Sequence, residues 1–304
     1  MAKLADTLSP DHPHTRTWMH FADKVKEKTK GRMEIHVYHS GQLGQTKDLY
    51  IGMQMGNIEM AKLSTSFAGG WIPEAYLFDL PYLFQSRDDL WRILKGSLGE
   101  KFFSEIYPKQ NLAGIMWADE GVGSIYTVNK PIRKPEDLKG LKIRVEPGDI
   151  HVQSINELGG IAAPMAWGEV SSALQQKVLD GAENSPSLFW ISKHWEICKA
   201  YSLTEHFWAT TPLLANKKWW DGLPKDIRGQ IGEAAQDAEK YFSKIYVGDE
   251  TKVIAWIKEK GVQIITDVDK PAFKRRIQPV YDAFIKKYAF GKGLLDQVRA
   301  AQRK

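Results

Sequence analysis

Two hydrophobic periods take turns along this chain. Thr15 to Lys30 carries Trp18, Phe21, Ala22 and Val25 at helical spacing, with a polar tail and Gly31 as a stop. Met33 to His39 alternates with period two, as a strand does. Thr46 to Met55 fits a helix closed by Gly56, and Ile58 to Ser64 fits a short strand. Leu112 to Gly121 predicts a strand running into a glycine turn, with a separate strand in "SIYTVN". Asp149 to Leu158 predicts a helix, "IAAPMA" a strand, and Trp167 to Gly181 a further helix. Strands separated by helices argue for an α/β chain with a mainly parallel sheet covered on both faces. From Pro224 the pattern is helical to Gly261, as one very long helix or two in series. "VQIIT" then predicts a last strand, Lys270 to Tyr288 a last helix, and "VRAAQRK" a frayed tail.

One strand stands out. In Leu141 to Glu146, Leu141, Ile143 and Val145 point one way, while Lys142, Arg144 and Glu146 point the other. Pro147 and Gly148 stop it abruptly. Arg144 is either a charge on a wet face, paired with Glu146 or Glu136, or a group aimed at a ligand.

With 304 residues, 43% hydrophobic and 26% charged, the composition is that of a globular protein with room for two domains. The net charge of +5 comes without a gathered basic surface, which argues against nucleic acid as a partner. Its densest basic run, Lys270 to Arg276, reads as a solvated helix face. The single cysteine, Cys198, rules out an internal disulfide and a cysteine-based metal site, and its apolar neighbours read as core. His12, His14, His36 and His39 have no carboxylate at ligand spacing, so no metal and no cofactor is expected. No run approaches the ~18 apolar residues of a membrane helix, so no direct membrane insertion is expected. No charged-then-apolar leader is visible at "MAKLADT"; either the protein is cytoplasmic or a leader has been removed.

Hydrolase elbows, phosphate-binding loops and zinc-protease helices are missing. "GVGSIY" starts like a dinucleotide fingerprint but lacks its third glycine. Eleven tryptophans are many for this length. Trp71, Trp117, Trp167, Trp190 and Trp208 flank turns, where they fill a core or wall a cleft.

Three stretches together resemble one family. "GQLGQTKDLYIGMQMGNIEMA", "FDLPYLF" and "LKGLKIRV…GGIAAPMAWGEVSSALQQKVLDGAEN" are similar to the solute-binding proteins of tripartite ATP-independent periplasmic (TRAP) transporters, the DctP-like group. The similarity covers nearly the whole chain. It implies a two-lobed periplasmic-binding-protein fold with mixed, mainly parallel sheets, hinge strands and a long domain-spanning helix. The implied lobes are 1–122 with 213–248, and 123–212 with 249–304. It implies hinge closure on a small organic acid held in an interlobe cleft, delivery to membrane permease subunits, a periplasmic location after leader removal, a monomer, and no enzymatic chemistry.

The resemblance also gives site residues. Arg144 matches the family arginine that pairs with the ligand carboxylate, and a guanidinium fork suits two carboxylate oxygens. Asn184 matches a cleft asparagine, Trp167 a cleft ring at a helix start, and Phe67 a ring in the first lobe. Phe189 or Trp190 falls near another aromatic position. This pattern looks closest to the ectoine-binding branch, where rings surround a zwitterion. The branch's acidic residue aligns with Thr7, next to Asp6, and Asp119 or Glu120 stands as a substitute. A second family arginine is replaced by Gly123, so a monoacid, sulfonate or zwitterion is expected over a dicarboxylate. Two other classes remain: an enzyme acting on small acids, with His151 and Glu169 as its nearest catalytic candidates, and a binding module that reports to a sensor.

Overall fold

The structure, a computed structural model, describes residues 1–303, with the side chains at 247–251 outside the description. Among the described residues nine strands follow in order: β1 (Ala2–Ala5), β2 (Ile35–Tyr38), β3 (Met60–Lys62), β4 (Leu112–Thr127), β5 (Lys142–Val145), β6 (Ile161–Pro164), β7 (Gly181–Asn184), β8 (Ala200–Asn216) and β9 (Gln263–Ile265). The α-helices are α1 (Pro13–Lys28), α2 (Thr46–Met55), α3 (Thr65–Ala68), α4 (Arg87–Leu94), α5 (Ser97–Lys101), α6 (Asp149–Glu157), α7 (Trp167–Gln175), α8 (Pro186–Ile191), α9 (Lys217–Gly222), α10 (Lys225–Glu259), α11 (Lys270–Arg276), α12 (Gln278–Lys287) and α13 (Gly291–Gln302).

The chain divides into two compact units: 1–64, 99–118 and 211–249 form the first, and 65–98, 119–210 and 250–304 the second. β4, β8 and α10 each give residues to both. In the first unit β1 lies parallel to β2 and β3, and β3 runs antiparallel to β8. Trp18, Phe21 and Val25 of α1 pack there with Leu4, Met60, Leu213, Ile231 and Ala238. In the second unit β5 is parallel to β6 and β7, β7 is antiparallel to β4, and β9 is parallel to β8. Its core holds Tyr126, Val170, Leu174, Ala182, Phe189, Cys198, Tyr201 and Ile257. Burial there pushes the Cys198 thiol up to about 12, as suits a small core hydrophobe.

Several sequence expectations are corrected. Residues 65–98, expected in the first lobe, belong to the second unit. Gly148 has no room for a side chain, since a Cβ there would stand 2.8 Å from the Ser66 carbonyl oxygen. Tyr281 Oη donates to the Pro81 carbonyl at 2.8 Å, tying the same segment to α12. The two strands expected around Gly121 are one, β4. Gly121 takes φ 82°, which a glycine accepts, and its N–H donates to Asp119 Oδ1 at 3.0 Å. The helix from Pro224 is one, α10. The last expected helix is broken at Ile277, ahead of Pro279, and the tail expected to fray is helical through Gln302. Among the described residues no helix is long and apolar enough to cross a membrane.

Candidate ligand-binding site

The order β6–β5–β7 brings three parallel carboxyl ends side by side in the second unit. In parallel α/β sheets this is where ligands collect, because the crossover helices leave the strand ends open. Register pairs Arg144 with Ala163 on β6 and Ala182 on β7. Alternation then puts Asn184 on the same sheet face as Arg144. Trp167 opens α7, just past β6.

Arg144 is only 4% exposed. Its Nε donates to the Met165 carbonyl at 3.0 Å, and its guanidinium carbon stands 5.2 Å from the centre of the Trp167 ring. No ion pair to it is found among the described residues. Burial lowers its pKa; Glu146, Tyr126, Glu183 and Glu120 pull the other way. The group stays charged, as arginine does. A buried guanidinium with its fork unfilled is costly, and an anion relieves that cost.

Asn184 is 8% exposed. Its Oδ1 accepts from the Ser185 N–H at 2.8 Å and its carbonyl accepts from Tyr201 Oη at 2.8 Å. The first bond orients the side-chain amide, and among the described residues no protein acceptor takes its Nδ2. Trp167 is held from behind by His194, 5.3 Å away between ring centres. His194 bridges Tyr126 Oη at 2.8 Å and Ser171 Oγ at 2.9 Å. Burial, and then the charge of Arg144, hold its imidazole down to about 4, so it is neutral.

Each of the other sequence candidates has surroundings of its own. Phe189, on α8, is fully enclosed, with ring centres 4.7 Å from Tyr126 and 5.0 Å from Tyr201. Trp190 packs with Trp195 and Trp256, each at 5.5 Å. Phe67, in the one-turn α3, lies 5.9 Å from Trp71. Glu120 is buried on β4 and lies near enough to raise the pKa of Arg144. Asp119 is taken: it pairs with Arg87 at 3.2 Å and accepts from Trp91 Nε1 at 2.8 Å. In the first unit, Thr7 follows β1 half-buried, and its neighbour Asp6 accepts from Trp18 Nε1 at 2.7 Å. The place of the missing second arginine is filled: a Cβ on Gly123 would meet a Phe207 ring carbon at 2.0 Å.

Sequence reasoning missed one buried array. Ser66 Oγ lies 2.9 Å from His151 Nε2, His151 Nδ1 lies 2.6 Å from Glu183 Oε1, and Glu183 Oε2 lies 2.8 Å from His206 Nε2. Glu169, the other catalytic candidate from the sequence, is exposed on α7. The one signal was a carboxylate in the all-buried strand "GAEN". The array looks like a Ser–His–acid triad, but its charges are set differently. Burial alone would lower His151; Glu183 overrides it and raises His151 to about 9. An imidazolium has no lone pair for a serine proton. The array lies on the opposite sheet face from Arg144, one residue out of phase along β7.

A buried guanidinium beside an indole, with an amide on the same sheet face at the open ends of parallel strands, is chemically suited to a small organic acid. Residues 4–287 match the DctP family, described as bacterial extracellular solute-binding protein, family 7, and the chain belongs to that family. A TRAP periplasmic solute-binding protein from Chromohalobacter salexigens, solved with bound D-glucuronate, is 36% identical, with 99% of this chain and 100% of that chain covered and a TM-score of 0.95. Another from Sulfitobacter sp. NAS-14.1, with bound β-D-galacturonate, is 28% identical, with 98% and 99% covered and a TM-score of 0.95. The ectoine-binding periplasmic protein of Halomonas elongata is 30% identical over 277 residues, which span 88% of this chain and 80% of that protein. The fold is therefore the two-lobed periplasmic-binding-protein fold, and the function is that of a TRAP solute-binding protein. Such proteins bind small acids and work with a membrane permease.

Proposed function

We propose that the acid captured by this chain is a sugar acid with one carboxylate, of the hexuronate kind. One observation carries the reading: Arg144 is buried with its guanidinium fork unfilled by any carboxylate of the described protein. Arg144 takes the ligand carboxylate in two parallel hydrogen bonds, Asn184 Nδ2 donates to a hydroxyl or ring oxygen, and Trp167 covers a sugar face. Phe67, Glu120 and Thr7 remain candidates for the hydroxyl-bearing end; Phe189 and Trp190 serve packing. The uronates bound by two similar solved proteins support this class. A zwitterion such as ectoine fits less well, because Asp119 and Asp6 are already engaged. A dicarboxylate lacks its second arginine, whose place Phe207 occupies. The chain acts as a monomer in the periplasm and leaves its ligand unchanged; a protonated His151 beside Ser66 supports that last point.

Calorimetric titration with D-glucuronate, D-galacturonate, ectoine and succinate tests the reading. The uronates should bind, and Arg144→Ala should cost them about 2–5 kcal/mol. Tight succinate or ectoine binding with silent uronates overturns it. Size-exclusion chromatography checks the monomer, and recovery of intact ligand after long incubation checks the absence of turnover.

A further inference from the structure

Two non-glycine residues with left-handed backbone, Tyr82 (φ 57°) and Glu205 (φ 45°), stand in the wall of one hollow of about 640 Å³ in the second unit. Bulky side chains avoid that backbone region, and it persists only where the surroundings enforce it. They do so here. The Tyr82 N–H donates to the His206 carbonyl at 2.8 Å, and its hydroxyl to the Thr204 carbonyl at 2.9 Å. The Glu205 N–H donates to Ser124 Oγ at 3.1 Å, and its carboxylate takes the Lys270 ammonium.

The same wall carries Arg87, Lys270, Lys274 and Trp208; Asp119 pairs with Arg87 and Glu205 with Lys270, so the charge of Lys274 leaves the wall net positive. Each cation lies beside an aromatic ring or a carboxylate. Arg87 stands 5.8 Å from the Trp208 ring centre, and Lys274 Nζ stands 5.3 Å from that of Tyr82. None of Arg144, Trp167 and Asn184 lines this hollow. Its volume is that of a small-molecule site. Its charge suits an anion, and its half-buried indole suits a flat apolar body.

We infer that this hollow is a second ligand site, separate from the Arg144 site, that takes a small aromatic carboxylate. The ring lies along Trp208, and the carboxylate accepts from Lys270 and Lys274. Both ammonium groups are exposed enough to reorient, and Glu205 sets how much positive charge is left for the ligand.

Fluorine NMR titration of the full chain with 4-fluorobenzoate tests the site. Binding should persist unchanged in Arg144→Ala. It should weaken about tenfold or more in Lys270→Ala/Lys274→Ala, and measurably in Lys274→Glu alone, an exposed change that leaves the fold intact. Uronate affinity should be the same in all lysine variants. Loss of fluorobenzoate binding with Arg144→Ala, indifference to the lysine changes, or no binding to the wild-type chain each overturns the inference. So does capture of an N-acetyl tetraglutamate peptide in place of fluorobenzoate, which would mark a protein-docking surface. A failure of uronates to bind would sink the hexuronate reading alone, since the fluorobenzoate arms need no uronate.

Discussion

His151 Nδ1 lies 2.6 Å from Glu183 Oε1, with both side chains 3% exposed or less. The second Glu183 oxygen is held at 2.8 Å by His206. Burial would push the Glu183 carboxyl up, but His151 and His206 hold it down to about 2. The same contact raises His151 from 6.5 to about 9.

The sign of the pH dependence follows. A raised His151 stabilises fully below 6.5 and loses that contribution as pH climbs through about 9. A lowered Glu183 stabilises above 4.5 and loses its contribution as pH falls through about 2. Between those limits two other groups oppose each other. Asp79, raised by burial to about 7, favours the acid side, and His194, lowered to about 4, favours the neutral side. Thermal melts should therefore be flat from about pH 5 to 6.5 and fall above 7. The alkaline loss should be on the order of 3 kcal/mol by pH 9. A wild-type melting temperature that rises from pH 7 to 9 would contradict this charge assignment.

Arg144 is a buried charge that no carboxylate among the described residues pairs. Replacing it by methionine removes that desolvation cost and keeps the volume. Ligand-free Arg144→Met should melt at or above the wild-type temperature, by up to about 1–2 kcal/mol, while acid binding is lost. Differential scanning calorimetry with and without uronate reads both effects. A clearly destabilised Arg144→Met would mean that the guanidinium serves the fold more than the ligand.

His194 joins Tyr126, Ser171 and the Trp167 ring. Truncation to alanine leaves two hydroxyls unpaired and the indole unsupported. His194→Ala should lose about 1–3 kcal/mol of stability and weaken uronate binding. His194→Gln, which can still donate and accept, should recover part of both. Chemical denaturation and calorimetry together check the pair, and equal damage from the two variants would contradict a bridging role.

Gly123 and Phe207 share one space, with 2.0 Å between a notional Cβ and the ring. Gly123→Ala should destabilise by about 1–3 kcal/mol through overpacking. Adding Phe207→Ala should relieve much of that loss, leaving a double mutant better than the sum of its parts. Denaturant midpoints for the four-member cycle measure the coupling, and strict additivity would show that the two positions do not meet.

Local pattern alone determined much of this protein. Period-two alternation around Arg144, the stops at Pro147 and Gly148, and the helical spacing of Trp18, Phe21 and Val25 all survive in the folded chain. These are properties of neighbours a few residues apart, so a single sequence displays them. Family resemblance carried the reading to Arg144, Trp167 and Asn184, which the structure gathers at three adjacent strand ends. Only the tertiary structure decided that residues 65–98 pack with the second unit, that Phe189 fills a core, and that Ser66, His151, Glu183 and His206 form one buried line. Ser66 and His151 are 85 positions apart, and Glu183 is 32 further on. Partners that distant are chosen by strand order and by how closely backbones can approach, as at Gly148, and no local periodicity encodes that choice.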